Sequence, residues 1–170
     1  MQCNRSEFYN PQHILRDVAA KLDKVQRSGA SVDYLTFVPD GEPTLDVNLG
    51  EAIAEVKKLG IPVALISNSS LMNQPKVREE LMMLDWISLK IDSVRATTWR
   101  KIDRPHKNIE FSNMLEGIVR FSEDFAGKLT TETMLIADYN DSDEEIEEIG
   151  QFLERIEPQI SYISIPTRPP

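Results

Sequence analysis

With one cysteine in 170 residues, the sequence excludes an intramolecular disulfide framework and any metal site built from paired thiolates of this chain. It has no run near the roughly 20 apolar residues of a membrane span. Met1 to Asn10 also lacks the basic start and apolar stretch of a secretory leader. The expected protein is cytoplasmic, without membrane contact. Basic charge is scarce: 19 Lys and Arg stand against 28 Asp and Glu, a formal charge of −9. That balance argues against tight, indiscriminate binding to a phosphate backbone, although a local basic patch remains compatible with it. There is no Gly-x-x-x-x-Gly-Lys-Ser/Thr phosphate loop, Gly-x-Gly-x-x-Gly fingerprint or Gly-x-Ser-x-Gly elbow. Nucleotide hydrolysis, dinucleotide redox chemistry and serine hydrolysis thus lose their usual signatures. The two histidines are weak acid–base candidates: His13 falls on the polar side of a helical stretch, and His106 follows Pro105 in a loop.

The residues that are present alternate between two periods. Short β-favouring runs at 34–38, 62–67, 86–91, 131–136 and 162–165 are separated by amphipathic helical stretches at 11–28, 77–84, 109–125 and 143–156. A further stripe of Leu49, Ile53, Val56 and Leu59 closes at Gly60. The first helix puts Ile14, Val18, Leu22 and Val25 on one stripe, with Pro11 in its first turn and Gly29 past its end. The last is expected to turn Ile146, Ile149, Leu153 and Ile156 inward, opened by a capping box at Ser142 and Glu145. Strands alternating with such helices imply parallel pairing, hence an α/β fold. Five strands fall short of an eight-stranded barrel, for which about 250 residues is usual. A helix precedes the first strand with no earlier strand for it to pack behind. The expectation is one domain, a partial TIM-like barrel lacking its N-terminal strand, whose exposed strand edges invite pairing with a second copy.

In parallel α/β proteins the loops after the strands converge on one face and carry function. Here they supply Gly41-Glu42-Pro43-Thr44 after the first strand, Ser67-Asn68-Ser69-Ser70 after the second and Asp92-Ser93 after the third. Glu42 could hold an ammonium group, or the segment could be an ordinary strand-to-helix turn. Ser67 and Asn68 could bind a sugar hydroxyl or cap the following loop. Lys90 and Asp92 share a strand face by the period of two and could pair. Glu132 lies inside an apolar strand, where a carboxylate is costly without a partner, so it reads as functional. The acid-rich stretch 138–148 could hold a cation, though a capped, solvated helix start accounts for it better. Residues 95–107 read either as a basic loop that could steer an anionic substrate or nucleic acid, or as a solvated crossover with Trp99 and Ile102 packed beneath it.

The order of these motifs resembles the radical S-adenosylmethionine (radical SAM) enzymes. The nearest likeness is to an iron–sulfur oxidoreductase group whose second strand leads into Gly-Glu-Pro-Thr-Leu, here Gly41 to Leu45. In register follow Leu65-Ile66-Ser67-Asn68-Ser69, Ser88-Leu89-Lys90-Ile91-Asp92, Ile102-Asp103-Arg104-Pro105-His106, Asn140-Asp141 and Pro166-Thr167-Arg168-Pro169-Pro170. The resemblance implies a partial (β/α)6 barrel holding a [4Fe–4S] cluster and S-adenosylmethionine, which is cleaved reductively to a 5′-deoxyadenosyl radical. It further implies that Gly41, Glu42 and Pro43 meet the methionine amino group, largely through backbone. By the same carry-over, Ser67, Asn68, Lys90 and Asp92 contact ribose and carboxylate, Glu132 lines the pocket and Arg168 closes the face. The sequence departs from the family at the cluster: in place of a Cys-x-x-x-Cys-x-x-Cys loop it offers Cys3 alone, at most a remnant of the third ligand. The expected protein is therefore a fragment of a radical SAM parent, itself inactive, whose substrate is unread but compatible with RNA base modification. Two other readings stand beside it: a cluster-free module using the rim for a nucleotide or a partner protein, and a barrel enzyme using Glu42, Asp92 and Glu132 with or without a metal.

Overall fold

The computed structural model describes residues 4–38 and 41–166. Five strands, β1 (Leu35–Phe37), β2 (Val63–Ser67), β3 (Trp86–Lys90), β4 (Lys128–Met134) and β5 (Ile160–Ser164), form one parallel sheet whose spatial order is its chain order. The helices are α1 (Pro11–Arg27), α2 (Leu49–Lys57), α3 (Pro75–Leu81), α4 (Ala96–Ile102), α5 (Phe111–Asp124) and α6 (Asp143–Ile156). Each strand-to-strand connection passes through at least one of α2 to α6, as parallel neighbours require.

The register assigns each strand residue to a face. Leu35, Phe37, Val63, Leu65, Ile87, Leu89 and Leu129 lie on one face and pack with Ile53, Val56, Val77, Leu81, Ile118, Phe121 and Ile156 of the helices. The alternate residues Thr36, Ile66, Ser88, Lys90, Thr130, Glu132 and Tyr162 lie on the opposite face, where Ile66 and Tyr162 are exposed. Near the start of the strands that face is floored by an aromatic pair, Tyr34 and Trp86, with ring centroids 6.1 Å apart. The α5 helix approaches the turn after β2 closely: a Cβ on Gly117 would lie 2.0 Å from the Met72 carbonyl oxygen, so only glycine fits there.

The sheet has two outer edges, β1 and β5. Beside β1, the stripe of α1 expected from sequence (Ile14, Val18, Leu22, Val25) and the β1 residues enclose an apolar groove of about 960 Å³. The chain before α1 is also anchored. Ser6 pairs with Asp46 (Ser6 N–H to Leu45 O, 2.9 Å; Val47 N–H to Ser6 O, 3.1 Å), and the guanidinium of Arg5 meets the buried Glu80 and the Asp46 carbonyl oxygen.

Three expectations shift. The β4 strand starts three residues earlier than the apolar run suggested, because Lys128 to Thr130 pair with Trp86 to Ser88 whatever their polarity. The stretch 95–107 is not all loop: it contains α4, whose buried Trp99 meets Phe111 at a tilt, with ring centroids 4.9 Å apart. In α6, Ile146 is exposed while Glu145 is buried. Glu145 turns inward because it accepts hydrogen bonds from Ser93 Oγ (3.0 Å) and Thr98 Oγ1 (2.6 Å) across the crossover. Ser142 does cap α6, accepting from the Glu145 N–H at 3.3 Å.

Candidate functional site

The ends of β1 to β5 converge on the polar residues named from sequence, and the structure separates those that hold the rim together from those free to meet a ligand. Gly41-Glu42-Pro43-Thr44 turns directly into a short 3-10 turn, Pro43–Leu45. Glu42 is buried, and its carboxylate is fully engaged. Its Oε1 accepts from Thr44 Oγ1 (2.7 Å), Ser67 Oγ (2.8 Å) and the Thr44 N–H (3.2 Å), and its Oε2 accepts from the Asn68 N–H (2.7 Å). Glu42 is thus a clip between the β1 loop and the end of β2. The expectation that its side chain holds an ammonium group is corrected, while the backbone of 41–43 remains at the rim. Burial raises its pKa above the usual 4.5, and the bonds from Asn68, Thr44 and Ser67 offset this only in part.

Ser67 shares the parity of Val63 and Leu65 on the helix-covered face. Its hydroxyl donates to Glu42 and accepts from the Ser69 N–H at 3.0 Å, so it is not placed to bind a sugar. Asn68 Oδ1 caps the Ser70 N–H at 2.9 Å, but its Nδ2 has no partner among the described residues. The loop-cap reading holds for both side-chain oxygens. Ser69 takes a left-handed conformation, φ 66°, to make this turn.

Lys90 and Asp92 do pair. The Lys90 ammonium lies between Asp92 Oδ2 and Asp103 Oδ1, the latter at 2.8 Å, and Asp92 Oδ1 accepts from the Met134 N–H at 2.9 Å. Burial would lower the pKa of Lys90, but the two carboxylates overcome it and hold the lysine above its usual 10.5. Burial dominates at Asp92, whose pKa is raised despite Lys90. Glu132 stands beside Lys90 in register on the same face. Its partner is Ser164 Oγ, donating to Oε1 at 3.1 Å; Oε2 is unengaged among the described residues.

Sequence reasoning passed over Thr44, Asp103, Ser164 and Asn140 as site residues. Asn140 is fully buried, its Nδ2 donating to the carbonyl oxygens of Asp92 (2.7 Å) and Met134 (2.9 Å) and its Oδ1 accepting from the Ile136 N–H (2.7 Å). A lone Asn in an acidic stretch just past a strand was the available signal. Cys3 and Arg168 lie outside the described residues.

At the rim, Asp92 and Asp103 hold one cation, Lys90, and Glu132 stands beside it in register, so this group carries more acidic than basic side chains. The described residues contain no group of three or more His, Cys, Asp or Glu side chains able to hold a metal ion. A carboxylate-metal enzyme built on Glu42, Asp92 and Glu132 is therefore not supported: Glu42 and Asp92 are already engaged by their own neighbours.

The family model for the radical SAM superfamily matches residues 2–153. The chain belongs to the radical SAM superfamily. A UPF0026 protein of Methanocaldococcus jannaschii is 40% identical over 166 residues, covering 98% of this chain and 51% of that protein. An S-adenosylmethionine-dependent nucleotide dehydratase of Flammeovirga pacifica is 33% identical over 75 residues, covering 44% of this chain and 26% of that protein. Among solved structures, TYW1 with a lysine–pyruvate adduct bound superposes with a TM-score of 0.70 at 21% identity, covering 99% of this chain and 59% of that one. At that identity the likeness shows the fold, a radical SAM partial TIM barrel. The chain spans about half the length of its Methanocaldococcus relative. No helix among the described residues is long and apolar enough to cross a membrane.

The superfamily implies S-adenosylmethionine and a [4Fe–4S] cluster, and the two fare differently here. The rim suits the sulfonium and polar ends of S-adenosylmethionine, with excess negative charge, the free Nδ2 of Asn68 and the free Oε2 of Glu132. The cluster does not fit: Cys3 is the chain's single thiol, and one thiolate cannot hold a group that normally takes several.

Proposed function

We propose that this chain is the S-adenosylmethionine-facing part of a radical SAM enzyme and is itself inactive in radical chemistry, the cluster ligands belonging to a longer parent. The parent would cleave S-adenosylmethionine reductively to a 5′-deoxyadenosyl radical, with RNA base modification as the substrate class. The observation that carries the reading is the rim itself: the Gly41–Thr44 backbone, clipped by Glu42 to the end of β2, beside a net-negative Lys90–Asp92–Asp103–Glu132 group. In this reading Asn68 and Glu132 bind ligand polar groups, while Glu42 and Asn140 hold the loops that present them.

Calorimetric titration of the chain with S-adenosylmethionine and S-adenosylhomocysteine tests it. The rim's charge favours the sulfonium over the neutral thioether, so S-adenosylmethionine is expected to bind several-fold more tightly. Equal affinity, or no binding of either, would sink the proposal and favour a cluster-free module. Glu132→Gln keeps the acceptor for Ser164 but removes the charge. It is expected to weaken S-adenosylmethionine about fivefold to tenfold and to leave the melting temperature within about 2 °C, since a partly exposed polar change contributes little to stability. Unchanged binding would remove Glu132 from the site.

The outer edges of β1 and β5 extend the proposal to self-association through a second copy. Light scattering at high concentration is expected to show dimers or larger species, and a clean monomer would contradict this.

A further inference from the structure

In an acidic chain, residues 100–107 bring four exposed cations together within eight positions. Of the basic residues in 95–107, Arg95 is engaged by Glu148 (2.7 and 2.8 Å) and lies 3.6 Å from Glu145. Arg100, Lys101, Arg104 and Lys107 are exposed, and none of their side chains has a hydrogen bond or ion pair among the described residues. The nearest acids in sequence are Asp103, already held by Lys90, and Glu110, which is exposed at the start of α5. His106 Nδ1 accepts from the Asn108 N–H at 3.2 Å.

The arm that displays these cations is firmly placed. Trp99 is buried against Phe111, Thr98 donates to Glu145, and Asp103 is fastened to Lys90 at the rim. Its inner side forms one wall of a small cavity of about 240 Å³, with Trp99, Ile102, Asp103 and Pro105 facing Asn68 and Lys90. The segment that carries the four cations thus lies beside the strand ends.

We propose that Arg100, Lys101, Arg104 and Lys107 form a docking arm for the sugar–phosphate backbone of a single-stranded nucleic acid, bringing one nucleotide to the rim. This rests on the rim being the reactive site, as argued above, but binding by the arm is measurable without it. A single phosphate group is usually held where several donors converge, often backbone N–H groups at a helix start. Here the cations are spread over an exposed helix end and loop, which suits an anion that repeats along a chain. The footprint must be short and the strand flexible. Beyond the arm the start of α6 is acidic, with Glu144 exposed near Arg95, and a rigid duplex would press its phosphates against such carboxylates.

The test uses a fluorescently labelled, mixed-sequence RNA 12-mer, with anisotropy read over a series of salt concentrations. Four contacts on a single strand predict a slope of log K on log[salt] near −2.8, from about −0.7 per neutralised phosphate. The R100Q/K101Q/R104Q/K107Q variant is expected to bind at least tenfold more weakly with a slope near zero, while its melting temperature and S-adenosylmethionine titration match the wild type. The R16Q/K24Q control, on α1, is expected to keep wild-type RNA binding. The proposal is overturned if the wild type fails to bind at low salt, or if the quadruple variant keeps its affinity. Equal loss in the α1 control would also overturn it. So would displacement of the RNA by cytidine triphosphate or by polyglutamate at equal charge, which would identify a nucleotide site or an unspecific anion patch. RNA binding without S-adenosylmethionine binding would uphold the arm and sink the rim assignment, so the two failures are distinguishable.

Discussion

Glu42→Gln is expected to lower the melting temperature by roughly 6–12 °C, from a stability loss of about 3 kcal/mol in a domain of this size. The wild-type carboxylate accepts four hydrogen bonds, from Thr44 N–H, Thr44 Oγ1, Ser67 Oγ and Asn68 N–H. An amide keeps one accepting oxygen. If that oxygen stays with Thr44 and Ser67, the new NH2 group confronts the Asn68 N–H, donor against donor, and a buried backbone group loses its partner. Rotating the amide moves the conflict to the Thr44 N–H. Either way the Gly41–Thr44 loop is unclipped from β2, so S-adenosylmethionine affinity should fall at least tenfold as well.

The pH dependence follows from the direction of the pKa. Because burial raises the Glu42 pKa above 4.5, the folded chain holds this proton when the unfolded chain has lost it. Wild-type stability therefore falls as pH rises from about 4.5 through the raised folded value. Glutamine does not titrate, so the deficit of Glu42→Gln should be widest near pH 4.5 and narrow toward neutrality. Thermal melts of both proteins from pH 4 to 8 read this directly. A variant that melts with the wild type at every pH would remove Glu42 from its role as the clip.

The sheet was legible because parallel strands covered by helices leave strong periodic signals. The α6 helix was readable to the residue because Ser142 and the following acids mark its start. What the sequence concealed is direction. Ser67 and Asn68 are adjacent and both polar, yet parity turns the Ser67 hydroxyl into the clip and leaves the Asn68 amide free. Nothing local distinguishes them until the register of β2 is known. The α4 helix was hidden for a similar reason: its core contact is one buried tryptophan in a run of Arg, Lys and Thr, too sparse to make a stripe. Glu145 and Ile146 exchanged expected faces because a buried carboxylate with two hydroxyl donors is stable, whereas periodicity counts only apolar residues. Glu42 and Ser67 secure the rim, whereas Glu132, which its place inside an apolar strand marks in the sequence, keeps one carboxylate oxygen unengaged among the described residues.

The second large effect is expected at Lys90. Replacing it with methionine removes the ammonium between Asp92 and Asp103 and leaves Asp92, 1% exposed, with only the Met134 N–H at Oδ1. Breaking a buried ion pair from one side costs about 3–5 kcal/mol, because the remaining charge has neither partner nor water. The expected fall in melting temperature is roughly 6–20 °C at pH 7. Two further measurements separate this cause from simple loss of packing. In Lys90→Met, burial acts on Asp92 without its main opposing charge, so Asp92 takes up a proton more readily still. The variant's deficit should therefore shrink as pH is lowered toward 5. In the wild type, the raised Lys90 pKa means its stabilising contribution is complete below the ordinary value of 10.5 and is lost as pH climbs through the folded one. An alkaline loss of stability should thus be present in the wild type and absent from the variant. The double variant Lys90→Met/Asp92→Asn removes the stranded charge and should recover most of the stability. It still lacks the lysine that fastens Asp103, so the α4 arm is released from the rim, and RNA affinity should remain reduced after stability has returned. Full recovery of both would mean that the Lys90–Asp103 contact does not couple the arm to the site.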